Sequence, residues 1–251
     1  MLNINEDFLL TDFFTPAKQR TIDYIVLHHI ATGCPKQAVQ MLIDHQVSAH
    51  FLIDLDGTIF RLVYEHNIAY HAGVSYWQGC NGLNKNSLGI EFINPNPNFL
   101  LFSQAQLQSA ILLIKKLMND YNINYKNIIG HSDIAYFANS NLLNRKQDPS
   151  ALFDWQLLAN NGIGLYPNIS CPQDRVEFKL GDSAKKISLV KQKLALLGYK
   201  VDDFSNIFDF SLLALAIVFN RHFNNNYTTE FNNQYWYKSS DLALDYLVSN
   251  R

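Results

Sequence analysis

The stretch IIGHSDIAYFANSNLLNRKQDPS, residues 128–150, decides how the chain is read. A short apolar run, Ile128-Ile129-Gly130, delivers His131 to a strand end. A polar loop then returns through Lys146-Gln147-Asp148-Pro149. His and Asp are good zinc ligands, through imidazole nitrogen and carboxylate oxygen. A Lys two residues before a metal-ligating Asp could set an ammonium beside the metal without joining its coordination shell, because the protonated amine has no lone pair. A single His in a Gly-His-Ser turn is as readily structural, so the weight of this reading rests on what the upstream strands bring.

Working outward, residues 22–28, Ile-Asp-Tyr-Ile-Val-Leu-His, are apolar and β-branched enough for a buried central strand. It ends in His28-His29, and because side chains alternate faces, at most one of the pair serves a given site. Residues 35–46 carry Val39, Leu42 and Ile43 at helical spacing behind Pro35, which suits a first helical turn. The run from Ala49 to Val63, broken at Asp56-Gly57, reads as a hairpin. His50 at its start is given a packing or surface role only. His71, in Ala-Tyr-His-Ala-Gly, has small neighbours that leave room for a ligand, although a turn histidine has the same surroundings. Glu91 lies inside the apolar strand Ser87–Ile93, where a carboxylate is costly to bury unless paired or near a metal; exposure on an edge strand is the other reading.

Residues 103–121 form the best helix, N-capped by Ser103 and striped with Leu107, Ala110, Ile111, Ile114, Leu117 and Met118. A shorter helix is expected from Phe153-Asp154-Trp155 to Gly162. The first 165 or so residues therefore read as an α/β domain. Residues 165–179 look like a connection. The remainder reads as three short amphipathic helices, over residues 183–197, 209–223 and 239–249, with an Asn/Tyr-rich loop at 224–237.

Composition excludes several classes. The chain has 251 residues, is 48% hydrophobic and 17% charged, and carries a net charge of −2 without a Lys/Arg cluster, which gives no footing for nucleic-acid binding. No apolar run approaches the roughly 20 residues that span a bilayer. Cys34, Cys80 and Cys171 are odd in number and far apart, as free thiols are. The N-terminus carries acids where a signal peptide has a basic start and an apolar core. The expected location is the cell envelope or periplasm if a signal has been removed, and the cytoplasm otherwise.

Taken in order, Val26-Leu27-His28, the hairpin Ala49–Asp54 with Asp56-Gly57-Thr58, Tyr70-His71-Ala72-Gly73, Ser87-Leu88-Gly89-Ile90-Glu91, Gly130–Ala135 and Arg145-Lys146-Gln147-Asp148-Pro149 resemble the N-acetylmuramoyl-L-alanine amidases of the amidase-2, peptidoglycan recognition protein-like superfamily. The match spans residues 20–165 and is closest to the AmiD type, which adds a C-terminal helical peptidoglycan-binding-like domain. The resemblance implies a mixed β-sheet flanked by helices plus a small three-helix domain. It also implies a zinc hydrolase acting on the amide between N-acetylmuramic acid, or its anhydro form, and L-alanine of the stem peptide. In that picture His28, His131 and Asp148 hold Zn2+, Glu91 and Lys146 are catalytic, and His71 and Asn86 contact the muropeptide. His29 faces away.

The implied organisation is a catalytic domain over residues 1–168 with an N-terminal extension 1–20, a linker 169–180, and a helical domain 181–251. A chain ending near Lys179 is then expected to keep its action on small muropeptides. Asp148 is preferred to the nearer Asp133 because Gly130 suggests that the chain is already turning and Pro149 biases Asp148 towards extended backbone. One departure from the family is the length of the loop between His131 and Asp148, with extra residues 136–144. Two other readings are a non-catalytic peptidoglycan receptor on the same fold and a cytoplasmic recycling amidase specific for anhydro-muropeptides.

Overall fold

The computed structural model describes residues 2–136, 145–224 and 234–251. Beyond Tyr136, the expected long loop 136–144 lies outside the described residues, as does most of the Asn/Tyr-rich loop 224–237. The chain folds into two compact units. One comprises Met1–Gly73, Gly82–His131 and Asp148–Gly164; the other comprises Val74–Asn81, Ser132–Gln147 and Leu165–Arg251. The helical tail thus gathers two segments from far upstream, which a single cut near residue 168 does not anticipate.

The first unit is built on a five-stranded mixed sheet. Its strands are β1 (Tyr24–Ile30), β2 (Phe51–Ile53), β3 (Ile59–Arg61), β4 (Ser87–Ile93) and β5 (Ile128–Gly130), in the order β3-β2-β4-β1-β5. β1 runs parallel to both β4 and β5, β2 is parallel to β4, and only the hairpin β2–β3 is antiparallel. Gly57 closes that hairpin at φ 87°, a conformation that suits glycine. Every residue of β4 is buried, as is all of β1 except His29, as expected for parallel strands covered on both faces.

Helix α1 (Pro35–Asp44) covers one face, packing Ala38, Val39 and Leu42 against Ile30, Leu52, Phe60, Leu62 and Ile93. On the other face lies an edge-to-face row of Phe92, Phe102, Phe153 and Trp155, with ring centroids 5.0–5.8 Å apart. Helix α2 (Gln104–Tyr121) begins in a capping box between Ser103 and Gln106. The Gln106 amide goes on to donate to the carbonyl oxygens of Ile53 and Ile93, at 3.3 and 2.7 Å. Within α2 the buried stripe runs through Leu113 rather than Ile111 and Met118. The residues 1–20 are not a loose extension. Asn5 bridges Phe60, Leu10 N–H donates to Leu62, and Phe14–Thr15 pairs with Ile68–Ala69, so the exposed edge of the hairpin is covered.

Directly after β5 the chain turns into a five-residue helix α3 (His131–Ala135), where the sequence predicts a loop. Helix α4 (Trp155–Asn160) is capped by Asp154, whose carboxylate accepts from Leu157 N–H. The expected tail helices are present as α5 (Lys185–Leu197), α6 (Phe210–Phe223) and α7 (Lys238–Ser249). They enclose Ile187, Leu194, Leu212, Phe219, Trp236 and Leu244, each at most 1% exposed. The expected connection also holds a strand, Val176–Phe178, paired with Trp236–Tyr237; three apolar and polar residues in alternation are too short a signal to see in sequence. No described helix is long and apolar enough to cross a membrane.

In the tail Lys191 is 2% exposed, and its ammonium is met by Asp209 at 2.7 Å, Asp203 at 3.0 Å and Ser205 at 3.2 Å, which uses all three donors. Asp209 is also the N-cap of α6, accepting from Leu212 N–H at 2.8 Å. Losing the cap costs about 1 kcal/mol, and stripping an acceptor from a buried ammonium about 1–3 kcal/mol. Asp209→Ala is therefore expected to lower the stability of the tail by roughly 2–4 kcal/mol, read from urea unfolding followed by tryptophan fluorescence in a Trp155→Phe background. A loss under about 1 kcal/mol would show that this network is incidental.

Candidate active site

The parallel register sets His28 level with Glu91, and Val26 level with Gly89, two residues lower. Side chains at matched positions of parallel strands share a face, so His28 and Glu91 are neighbours on the side that α1 also covers. Both are buried, at 2% and 8% exposure. β5 ends level with Leu27 at Gly130, and the next residue is His131. Topology alone brings His131 to the same end of the sheet as His28.

Three donor atoms meet there. His28 Nδ1 lies 3.0 Å from His131 Nδ1 and 3.0 Å from Asp148 Oδ2, while His131 Nδ1 is 2.8 Å from the same oxygen. Among the described residues this is a group that could hold a metal ion.

The protons can be placed by following the bonds outward. The Ser87 hydroxyl donates to Leu83 O at 2.7 Å, so its oxygen is left to accept from His71 Nε2–H at 3.2 Å. His71 Nδ1 then carries a lone pair and accepts from His28 Nε2–H at 3.0 Å. His28 Nδ1 is therefore bare. His131 Nε2–H donates to Ala72 O at 3.3 Å, which leaves its Nδ1 bare as well. Two imidazole lone pairs and a carboxylate oxygen face one another with no proton between them, an arrangement that calls for a cation.

The support behind this cluster is extensive. Asn84 Oδ1 accepts from the backbone N–H groups of His71 and Ala72, at 3.1 and 2.7 Å, fixing the loop that meets both His28 and His131. The Arg20 guanidinium holds Asn84 O and Glu65 O in turn. A Cβ on Gly89 would come within 2.5 Å of the His71 ring, so the strand can accept His71 only because residue 89 has no side chain. His50, fully buried, accepts from Gly89 N–H through Nδ1 at 3.0 Å. Its Nε2–H donates to Asn67 O at 3.2 Å, with the Arg20 guanidinium 3.0 Å from Nε2.

These environments fix the charge states. Burial holds His50 down to about 3, helped by the Arg20 cation, and burial beside His28 and His50 holds His71 well below its ordinary range. Both are neutral, as the proton pattern requires. Burial opposes ionisation of Asp148, and it is positive charge on the His131 and His28 side that holds its carboxyl well below the usual carboxylate range, a charge that a cation held between the three donors would supply.

Of the residues expected at the site, His28, His131, Asp148 and Glu91 are brought together. His71 stands behind His28 with both ring nitrogens engaged, not in a position to contact a substrate with either. Asn86 binds Asp23 at the opposite end of β4, about 16 Å along the strand from Glu91 at roughly 3.3 Å per residue. His29 takes the other face, level with Phe92. Asp133 is fully buried in the second unit, its oxygens accepting from Tyr199 at 3.0 Å and His222 at 2.7 Å. Lys146 belongs to that second unit and is half-buried, its carbonyl accepting from Arg221 at 3.2 Å. Sequence reasoning missed Ser87, Asn84 and His50. The one available signal was Gly89, an isolated glycine inside an apolar strand, which marks close approach by a neighbour.

Residues 18–151 match the family model described as N-acetylmuramoyl-L-alanine amidase, amidase-2. The chain is 34% identical to the N-acetylmuramoyl-L-alanine amidase AmiD of Escherichia coli over 198 residues, covering 72% of this chain and 67% of that protein. It is 39% identical to the 1,6-anhydro-N-acetylmuramyl-L-alanine amidase AmpD of the same organism over 110 residues, covering 44% of this chain and 55% of AmpD. The solved structure of E. coli AmiD with anhydro-N-acetylmuramic acid-L-Ala-D-γ-Glu-L-Lys superposes with TM-score 0.71 and 28% identity, covering 93% and 92% of the two chains. AmpDh3 of Pseudomonas aeruginosa, in complex with an anhydromuramic pentapeptide, gives TM-score 0.71 and 25% identity over 100% of this chain and 99% of that one.

The buried neutral His50 makes stability depend on pH. Its folded pKa, about 3, lies below the ordinary 6.5. Its contribution is thus fully present above pH 6.5 and is lost as pH falls, because the unfolded chain takes up a proton that the folded one refuses. Between pH 6 and 4 the slope of unfolding free energy from this one residue approaches about 1.4 kcal/mol per pH unit. His50→Asn, compared with wild type by urea titration at several pH values, should flatten the profile by most of that amount; an unchanged slope would refute the assignment.

Proposed function

The chain belongs to the amidase-2 family of N-acetylmuramoyl-L-alanine amidases, and from that premise we propose that it hydrolyses muropeptides with zinc held by His28, His131 and Asp148. The bond cut is the amide between the lactyl group of N-acetylmuramic acid, or its anhydro form, and the L-alanine of the stem peptide. The reading extends to this chain the substrate class that the AmiD and AmpDh3 structures hold.

The observation that carries it is the convergence of two bare imidazole nitrogens and one carboxylate oxygen on the face that bears Glu91. The three donor–donor distances, 2.8–3.0 Å, are a little under the roughly 3.3 Å edge of a tetrahedron with bonds of about 2.0–2.1 Å, and two His with one carboxylate is a zinc donor set. Held by these three residues, zinc would supply Lewis acidity and would lower the pKa of a water to about 7.

The chain's own residues do the rest. Glu91, buried in an apolar strand, takes a proton from the attacking water and later delivers it to the departing alanine nitrogen. As water adds to the carbonyl carbon and the C–N bond breaks, Lys146 offsets the negative charge that develops on the carbonyl oxygen. The products are the free lactyl carboxylate and a peptide with a new amino terminus. His71 and Ser87 keep the His28 proton on Nε2, and Ala72 O does the same for His131, so that both nitrogens facing the metal stay available. In this reading the helical tail, residues 181–251, aids attachment to polymeric peptidoglycan.

Glu91→Ala and Lys146→Ala are each expected to retain stoichiometric zinc and to lose about 10²–10³ in kcat on a soluble muropeptide, with products identified by mass. Near wild-type kcat in either variant would remove that residue from the mechanism. Asp148→Ala is expected to lose tight zinc in a chelator competition while Asp133→Asn keeps it; the reverse pattern would overturn the ligand set.

A further inference from the structure

The tail's core contains a buried polar cluster that the mechanism leaves unused. It starts at helix α3, whose first residue is His131 and whose third is Asp133. A five-residue helix is far below the length that sustains itself, so its position is set by tertiary contacts. His131 is held by Ala72 O, but the third residue of the helix is held from the tail. Asp133, 0% exposed, takes Tyr199 Oη–H on one carboxylate oxygen and His222 Nδ1–H on the other. Tyr136, immediately after the helix, donates its hydroxyl to Lys200 O at 2.6 Å. Ten residues further on, Lys146 has its carbonyl held by Arg221, itself 5% exposed. Arg221 and His222 are adjacent on α6, so one turn of one helix grips the segment near both ends.

We propose that Arg221, His222 and Tyr199 are positioning residues for catalysis: His222 and Tyr199 act on the metal ligand His131 through Asp133, and Arg221 acts on Lys146 through its carbonyl. The tail then has a share in the chemistry beyond polymer attachment, and a chain ending near Lys179 is expected to lose activity on small muropeptides too. This rests on the catalytic role given above to Lys146. The chemistry demands such fixing, since a displacement of about 1 Å in a catalytic group costs up to about 10²-fold in rate. A guanidinium at 5% exposure directed at a main-chain carbonyl fixes a backbone point and does not engage the Lys146 ammonium.

The test uses the full chain loaded with zinc and a soluble muropeptide, which does not need polymer binding. Arg221→Met is expected to lower kcat by about 10-fold or more with KM little changed and the same zinc content. Arg221→Lys, which can still donate to the carbonyl, should restore most of the rate. In a Lys146→Ala background Arg221→Met should add less than about 2-fold, because residues that act as a unit are non-additive. Tyr199→Phe, an isosteric change that keeps the fold even if Arg221→Met does not, should weaken zinc by about 3- to 10-fold in chelator competition, a fraction of the effect of a group that touches the ligand directly.

A wild-type kcat in Arg221→Met, an equal loss in both backgrounds, or unchanged zinc affinity in Tyr199→Phe would each overturn the proposal. An unchanged kcat in Lys146→Ala is a different failure: it would sink the role given to Lys146, and with it the Arg221 arm, while the zinc measurement on Tyr199→Phe still decides for or against the rest.

Discussion

The level pairing of His28 with Glu91 across two parallel strands is the constraint on which the site depends. Seven consecutive residue pairs, from Tyr24 with Ser87 to Ile30 with Ile93, hold that register. Because side chains alternate, a slip of one residue would send Glu91 to the opposite face and put Ile90 or Phe92 beside His28. Such a slip would also bury a carboxylate among the aromatic rings around Phe92, at a cost of several kcal/mol. His50 secures the register from the neighbouring strand: its ring accepts from Gly89 N–H while its own backbone N–H donates to Gly89 O. One histidine thus ties down the glycine whose missing side chain makes room for another.

Around the three donor atoms the protein controls protons as much as positions. A hydroxyl with one available acceptor, Leu83 O, decides the orientation of Ser87, and from there each tautomer follows in turn to His28. Burial keeps the supporting histidines neutral, since charging them in a low-dielectric interior next to the Arg20 cation is unfavourable. The outcome is a set of lone pairs held ready, with the reorganisation already done on folding.

Much of this was legible from the chain. Periodicity and turn residues located β1, β4, α1, α2 and the hairpin, because each is long enough or sharply enough bounded for local preferences to agree with the tertiary fold. The order of short motifs pointed to His28, His131, Asp148 and Glu91. What sequence could not show was lateral position. Asn86 is five residues from Glu91, and only the strand's extension shows that it lies at the wrong end of the sheet. His71 has small neighbours, as a residue open to ligand would, yet here they admit another side chain. Asp133 offered no hint of its partners, which arrive from more than sixty residues away. The grouping of Val74–Asn81 with the tail was hidden for the same reason: Trp77 packs on Tyr199, and nothing local marks that pairing.

The Arg145 guanidinium donates to Ala135 O at 2.9 Å, a bond between two residues ten apart in the chain. For a chain tethered in this way the entropy of closure grows only logarithmically, about 0.6 kcal/mol for each doubling. A bond of this kind thus holds two points of a chain together at an entropic cost that depends only weakly on how many residues lie between them.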